Sequence, residues 1–461
     1  MQSFYQAEAA SGLASSLWPK KGAPPIYSSL GRRSEEALAR DRRIRDAASF
    51  SELLHALQEG LPDFDEGSLV IAFCVGAKLV DERSLASVAS LPVWASLQQR
   101  LRDATHRLEP RGLSMVAYAC AKMAWREEAF LRDVAAASTK KAGLEAFLQA
   151  PDFGSTDIAK ICWAYAKLDF VAEASELWAA MGQVLQKVHL SRHVDLSMIA
   201  WAFSTARQGD AALYAELASA SLDLMQDLTP QCLANVAMAL ARENIAHPEL
   251  FDAICRRGLG LVRHFADFDA TNLCWALARL QWVDYELFEL LADHTVGNGF
   301  VKRYSAEMAA QMAWAFAVAG FAHGPLFADL ADFVARHASV FEAQYLSTCA
   351  WAFATLNFRH DSVWHALARE VKGGRLWRYR PDQLCIIWAF TKVRWDDPEL
   401  LRDMMQVSSQ RLTEFDTQGI INFLSAVVVM SEEGSEAHSE DALRLVDSIM
   451  LELMQKELDP E

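Results

Sequence analysis

A chain of 461 residues in which 52% are hydrophobic has ample material for a continuous core, which excludes wholesale disorder. Its 21 glycines and 13 prolines are few for this length, favouring long helices over a many-stranded β fold. The formal charge of −16 is uneven: residues 431–461 hold ten acids and two bases, so half of it sits in the last 31 residues and the body is only mildly acidic.

In chain order, residues 1–45 read as a flexible N-terminal segment. Its first 33 residues are rich in Ser and Ala and carry Lys20, Lys21, Arg32 and Arg33 against the single acid Glu8. Without an apolar h-region they resemble an organelle transit segment more than a secretory signal, and a floppy terminus is the other reading. A lead-in helix over Phe50–Glu59 opens a repeat array spanning 46–430. The acidic, amphipathic stretch of 431–461, centred on Asp441–Glu457, reads as a capping helix or tail.

The array is carried by a recurring Trp-Ala-aromatic run: Trp163-Ala164-Tyr165, Trp201-Ala202-Phe203, Trp275-Ala276-Leu277, Trp314-Ala315-Phe316, Trp351-Ala352-Phe353 and Trp388-Ala389-Phe390. Degenerate copies centre on Phe73, Tyr118, Met238 and Phe423, and successive anchors lie 45, 45, 38, 37, 37, 39, 37, 37 and 35 residues apart. Seven residues after the anchor stands a second large apolar group (Trp125, Phe170, Ile245, Trp282, Phe321, Phe358, Trp395 and Met430), with Gln208 as the exception. The flanking alanines predict close approach by a second helix, and a Trp between two alanines on an apolar helix face is expected in the core.

About twelve residues on, a second stripe begins at Leu213-Tyr214, Leu250-Phe251, Leu287-Phe288, Leu326-Phe327, Val363-Trp364 and Leu400-Leu401. Pro248, Pro325 and Pro398 precede three of these by two residues or fewer, and Pro230 and Pro381 open first helices of their own repeats, as suits a first helical turn. Gly297-Asn298-Gly299, Gly373-Gly374 and the segment 138–155 read as loops. The expected fold is all-α: a right-handed α-solenoid of about ten helix–turn–helix repeats of 37–45 residues, helix A carrying the anchor and helix B following.

Positions where the repeat varies are the ones free to meet a ligand. Residues three before and four after the anchor share a stripe of helix A. The pairs are Met115/Lys122, Lys160/Lys167, Met198/Thr205, Asn235/Arg242, Asn272/Arg279, Gln311/Val318, Thr348/Thr355 and Cys385/Lys392. Six of these sixteen residues are basic and none is acidic, against an acidic background. Stacked repeats would align them into a ladder. Lys and Arg neutralise phosphates, while Asn, Gln and Thr can bond base edges, which suits single-stranded RNA. The candidate RNA contacts are Lys122, Lys160, Lys167, Asn235, Arg242, Asn272, Arg279, Gln311, Thr348, Thr355 and Lys392.

The period, the Trp-Ala-Phe-Ala runs Trp314 to Ala317 and Trp351 to Ala354, and the lead-in Phe50-Ser51-Glu52-Leu53-Leu54 make the chain resemble octotricopeptide-type repeat proteins. With the related heptatricopeptide and FAST-kinase-like leucine-rich proteins these are α-solenoids of organelles. The resemblance covers roughly 46–430 and implies binding of organelle RNA and control of its processing, stability or translation. Two departures stand beside it. Only the acidic 431–461 follows the last repeat, too short and too helical for the RAP domain that many relatives carry, and the repeats lack the PPPEW signature.

No phosphate-binding GxxxxGK[ST] loop, GxGxxG, HExxH or GxSxG motif is present, so no enzyme, cofactor or small-molecule substrate is expected. His189 and His193 lie four apart with no third ligand, and the eight cysteines (74, 120, 162, 232, 255, 274, 349 and 385) form no CxxC pair; they read as reduced core thiols. No apolar run reaches the length of a membrane span. The leading reading is an organellar RNA-binding adaptor in mitochondrion or plastid, otherwise cytoplasmic, with further protein partners on its outer surface or acidic tail. The alternative is a protein-interaction scaffold of the armadillo or HEAT kind, without nucleic acid.

Overall fold

The computed structural model describes residues 35–80, 88, 90–141, 153–374, 386–411, 414–415 and 417–433. Outside them fall the proposed transit segment before 35, most of the 138–155 loop, Pro381, Cys385 and the acidic stretch beyond 433. The described residues hold 21 α-helices and no strand.

Two compact units divide the chain, one up to Leu228 and one from Thr229. The first holds five helical hairpins. They are α1 (Glu35–Asp46) with α2 (Phe50–Gly60), α3 (Glu66–Leu79) with α4 (Pro92–Ala104), and α5 (Pro110–Lys122) with α6 (Glu128–Lys141). There follow α7 (Ser155–Lys167) with α8 (Ser175–Leu185) and α9 (His193–Ala206) with α10 (Ala211–Asp223). The second unit pairs α11 (Pro230–Arg242) with α12 (Pro248–Leu261), α13 (Asp267–Arg279) with α14 (Tyr285–Gly297), and α15 (Ala306–Val318) with α16 (Gly324–His337). It continues with α17 (Ala343–Thr355) beside α18 (Asp361–Lys372), then α19 (Ile386–Lys392) with α20 (Pro398–Ser409), and ends on α21 (Thr417–Glu433).

Within each unit every odd-numbered helix packs on the next odd-numbered one, and in the second unit the helices from α12 to α20 form a matching even-numbered row. This consecutive stacking of hairpins is that of an α-solenoid. The ten anchors fall on the ten A helices from α3 to α21. The segment expected to be flexible up to residue 45 contains α1, an A-type helix that packs on α3. Its Ile44 is fully buried, and its buried Asp41 accepts from Ser68 Oγ at 2.7 Å.

The alanines beside the anchors do what their size predicts: Ala164, Ala200, Ala202, Ala276, Ala313, Ala315, Ala350, Ala352 and Ala389 are all fully buried. They let the A helices approach closely, so that each is covered on two sides. Pro230, Pro248 and Pro398 stand at the first position of α11, α12 and α20, and Pro325 at the second of α16.

The turn from A to B is one backbone device used eight times. Six residues after the anchor the chain enters the left-handed region, at Ala124, Asp169, Arg207, Asn244, Gln281, Gly320, Asn357 and Arg394, with φ between 51° and 66°. The next residue donates its N–H back to the carbonyl two residues after the anchor: Trp125 to Cys120, Phe170 to Tyr165, Gln208 to Phe203, Ile245 to Leu240, Trp282 to Leu277, Phe321 to Phe316, Phe358 to Phe353 and Trp395 to Phe390, over 2.8–3.1 Å. This six-to-one bond is the Schellman helix ending. The apolar group seven after the anchor is therefore the residue that packs back on the helix end, as Phe358 does on Phe353, ring centroids 6.0 Å apart. Gln208 keeps the main-chain bond without the apolar contact.

Helix B then starts on a side chain nine residues after the anchor. Glu127, Asp210, Asp284 and Asp397 accept N–H groups of their first turns at 2.8–3.1 Å, and His247 and His323 do so through Nδ1 at 3.3 and 3.2 Å.

Candidate nucleic-acid interface

The stripe of helix A splits into two rows of unlike character. Four residues after the anchor, in the last helical turn, lie Lys122 and Lys167 in the first unit and Arg242, Arg279, Thr355 and Lys392 in the second. Arg279 is exposed and Lys122, Lys167, Arg242 and Thr355 are half-buried. Every accessible base of the ladder belongs to this row. A last-turn cation also offsets the helix dipole, so its sign alone does not call for a ligand. The same dipole disfavours an acid there, so what the row offers a ligand is its regular spacing, one residue to a repeat.

Three residues before the anchor the picture differs. Lys160, expected among the RNA contacts, is only 6% exposed. It lies among Asp157, Arg111, Asp195 and the Cys74 thiol, and burial lowers its pKa against the pull of Asp157. Burial likewise raises the pKa of Asp157, opposed by Lys160 and by Ser114, whose Oγ donates to Oδ1 at 2.7 Å. Lys160 thus belongs to the seam between A helices and not to a phosphate-facing surface. Asn235 and Asn272 are also buried, while Gln311 and Thr348 are half-buried; Thr348 Oγ1 donates to Gln344 O at 2.9 Å. Three members of the ladder hold buried polar atoms without a hydrogen-bond partner among the described residues: Asn272 Nδ2, Gln311 Oε1 and Thr355 Oγ1.

The anchors themselves correct an expectation. In the first unit they are core. Tyr118, Trp163 and Trp201 are buried and in ring contact, at 5.2 Å for the first pair and 6.4 Å for the second, with Lys167 Nζ 5.1 Å from the Trp163 ring centre. In the second unit Trp275, Trp314, Trp351 and Trp388 are half-buried, each leaving part of its indole open. Trp275 and Trp314 touch, centroids 6.0 Å apart and planes 35° from parallel. The local motif is the same in both units, so this exposure is set by what the neighbouring helices cover.

Seven cysteines are buried free thiols, and burial raises their pKa wherever a shift is resolved, to about 12 for Cys74 and Cys255. Among the described residues no group of three His, Cys, Asp or Glu is placed to hold a metal ion, and no helix is long and apolar enough to cross a membrane.

A family model of RNA-editing substrate-binding complex 6 proteins matches residues 153–361. That stretch runs from just before α7 to the first residue of α18 and covers somewhat under half of the chain. Over it, this helical-repeat protein is similar to a family associated with RNA. No curated protein matches the chain. Among solved structures, one described as a homology model of the full-length AP-3 complex in an intermediate open conformation is similar over 85% of this chain and 73% of that one. Its identity is 10% and its TM-score 0.25, a level of overlap that says nothing about function.

Proposed function

We propose that this chain is a non-catalytic adaptor that binds single-stranded RNA along its A helices and serves RNA processing, stability or translation in an organelle, mitochondrion or plastid, in the manner of octotricopeptide-type proteins. The observation that carries the reading is the row of last-turn residues. Lys122, Lys167, Arg242, Arg279 and Lys392 stand at one repeat position with no acid among their equivalents, in a chain whose net charge is −16. Most of that row lies in the stretch similar to the RNA-editing family. A regular series of cations suits a regular series of phosphates.

The test is binding of the purified chain to a randomised single-stranded RNA pool at two salt concentrations. Affinity should fall steeply with salt, with an exponent of about 0.7 in salt concentration for each phosphate contact. Replacing Arg242 and Arg279 together by Glu should abolish it while helicity is kept and stability falls only by the lost last-turn charges, about 0.3–1 kcal/mol each. Undiminished affinity in that variant removes the last-turn row. No binding at low salt turns the reading to a protein scaffold.

A further inference from the structure

We propose that the partly exposed indoles of the second unit, Trp275, Trp314, Trp351 and Trp388, are platforms on which the bases of a bound strand stack. The inference rests on the RNA reading above and goes past it, since cations alone hold a phosphate chain without touching a base.

Three observations meet at these residues. First, the same anchor position is sealed at Tyr118, Trp163 and Trp201 and open at the four second-unit tryptophans. A Trp needed only for packing gains by being covered, and the fold covers it elsewhere in the same register. Second, Asn272 Nδ2 and Gln311 Oε1, each three residues before one of these tryptophans, and Thr355 Oγ1, four after another, are buried without a partner among the described residues. Asn272 is only 2% exposed. Such orphans occur in both units, Ser197 and Ser204 on α9 among them, but these three stand on the stripe beside the partly open rings, where a ligand's own donors and acceptors have something to gain. A nucleobase edge carries both. Third, Arg279 is exposed on the same stripe, and no acid stands three before, at, or four after these anchors. Aromatic face, orphaned amide and cation in one repeat is the set that single-strand binders use.

The geometry also limits the binding mode. Trp275 and Trp314 are already in contact, so a base does not slide between them. It lies across their open faces, one base to a helix. Stacking of this kind is tolerant of sequence, and the selectivity falls to Gln311 and Thr355, the half-buried members of the stripe beside these rings.

The experiment uses the full chain and two probes: a random single-stranded RNA of about twenty nucleotides containing 4-thiouridine, and inorganic polyphosphate, a polyanion without bases. RNA should quench the indole fluorescence and cross-link to peptides holding Trp275, Trp314, Trp351 or Trp388, and polyphosphate should bind without quenching. Trp314→Leu and Trp351→Leu should each weaken RNA binding by roughly five- to a hundred-fold and leave polyphosphate binding unchanged. RNA that binds the native chain with no quenching, and with cross-links confined to peptides lacking these tryptophans, overturns the platforms and leaves the RNA reading intact. These two signals come from the unaltered protein, so they decide the matter even where a variant fails to fold. Absence of RNA binding at low salt overturns both.

Discussion

At the scale of single residues, the repeat is held by a backbone conformation that most of its occupants tolerate poorly. Arg207 and Asn357 adopt φ of 52° where Gly320 serves one repeat at 66°. A side chain there costs about 1 kcal/mol relative to glycine. Arg207→Gly or Asn357→Gly should therefore raise stability by several tenths to about 1 kcal/mol, and Gly320→Ala should lower it by a similar amount, as read from urea melts. Gly76 is constrained by space instead of conformation. A Cβ placed there would come within 2.1 Å of the Trp94 ring, which is itself fully buried. Gly76→Ala should cost roughly 1–3 kcal/mol through displacement of that indole; a variant as stable as the parent would show that the α3–α4 packing can shift.

Between elements, the first unit ties successive A helices together with hydroxyl–carboxylate bonds. Ser114 on α5 donates to Asp157 on α7, and Ser155 and Thr156 on α7 donate to Asp195 on α9, each at 2.7 Å. Asp157 holds its proton more tightly when folded than when unfolded, because burial raises its pKa. Its contribution thus favours the folded state at low pH and is lost as pH rises through the folded pKa. Lys160 moderates that loss by stabilising the charged carboxylate. Lys160→Met should push the Asp157 pKa higher and make first-unit stability fall more steeply between mildly acid and neutral pH, and Asp157→Asn added to it should flatten the profile. A Lys160→Met variant with the parent's pH profile would remove the coupling.

These seams were the least legible part of the sequence. The period, the A and B helices and their proline starts could be read directly, since apolar spacing reports a helix face and Pro reports its first turn. The apolar residue seven after the anchor was visible too, but its role was not. The left-handed residue before it is Ala, Asp, Arg, Asn or Gln in seven of eight repeats, so composition gave no sign of the turn. The candidate stripe was read as one surface because helical spacing puts its members on one face. It could not show that Lys160 is turned into the seam or that the tryptophans of the two units differ. Both depend on what an adjacent repeat covers, which the recurring Trp-Ala runs do not encode.

For the whole molecule, the governing fact is that within each of the two compact units packing is between neighbouring repeats. Stability in such an array is a sum of repeat and interface contributions, so damage stays near its source. Gly76→Ala should loosen hydrogen-exchange protection in the first unit while helices α13 to α17 keep theirs; equal loss in both would mean that the two units unfold as one. The buried thiols make the same property measurable without labels being built in. Cys74, Cys120 and Cys162 lie on successive A helices of the first unit, and Cys232, Cys255, Cys274 and Cys349 are distributed through the second. Each is silent to an alkylating reagent until its own stretch of chain opens. A timed pulse of iodoacetamide, read peptide by peptide, would turn the protein into its own recording strip, giving the order in which its repeats breathe.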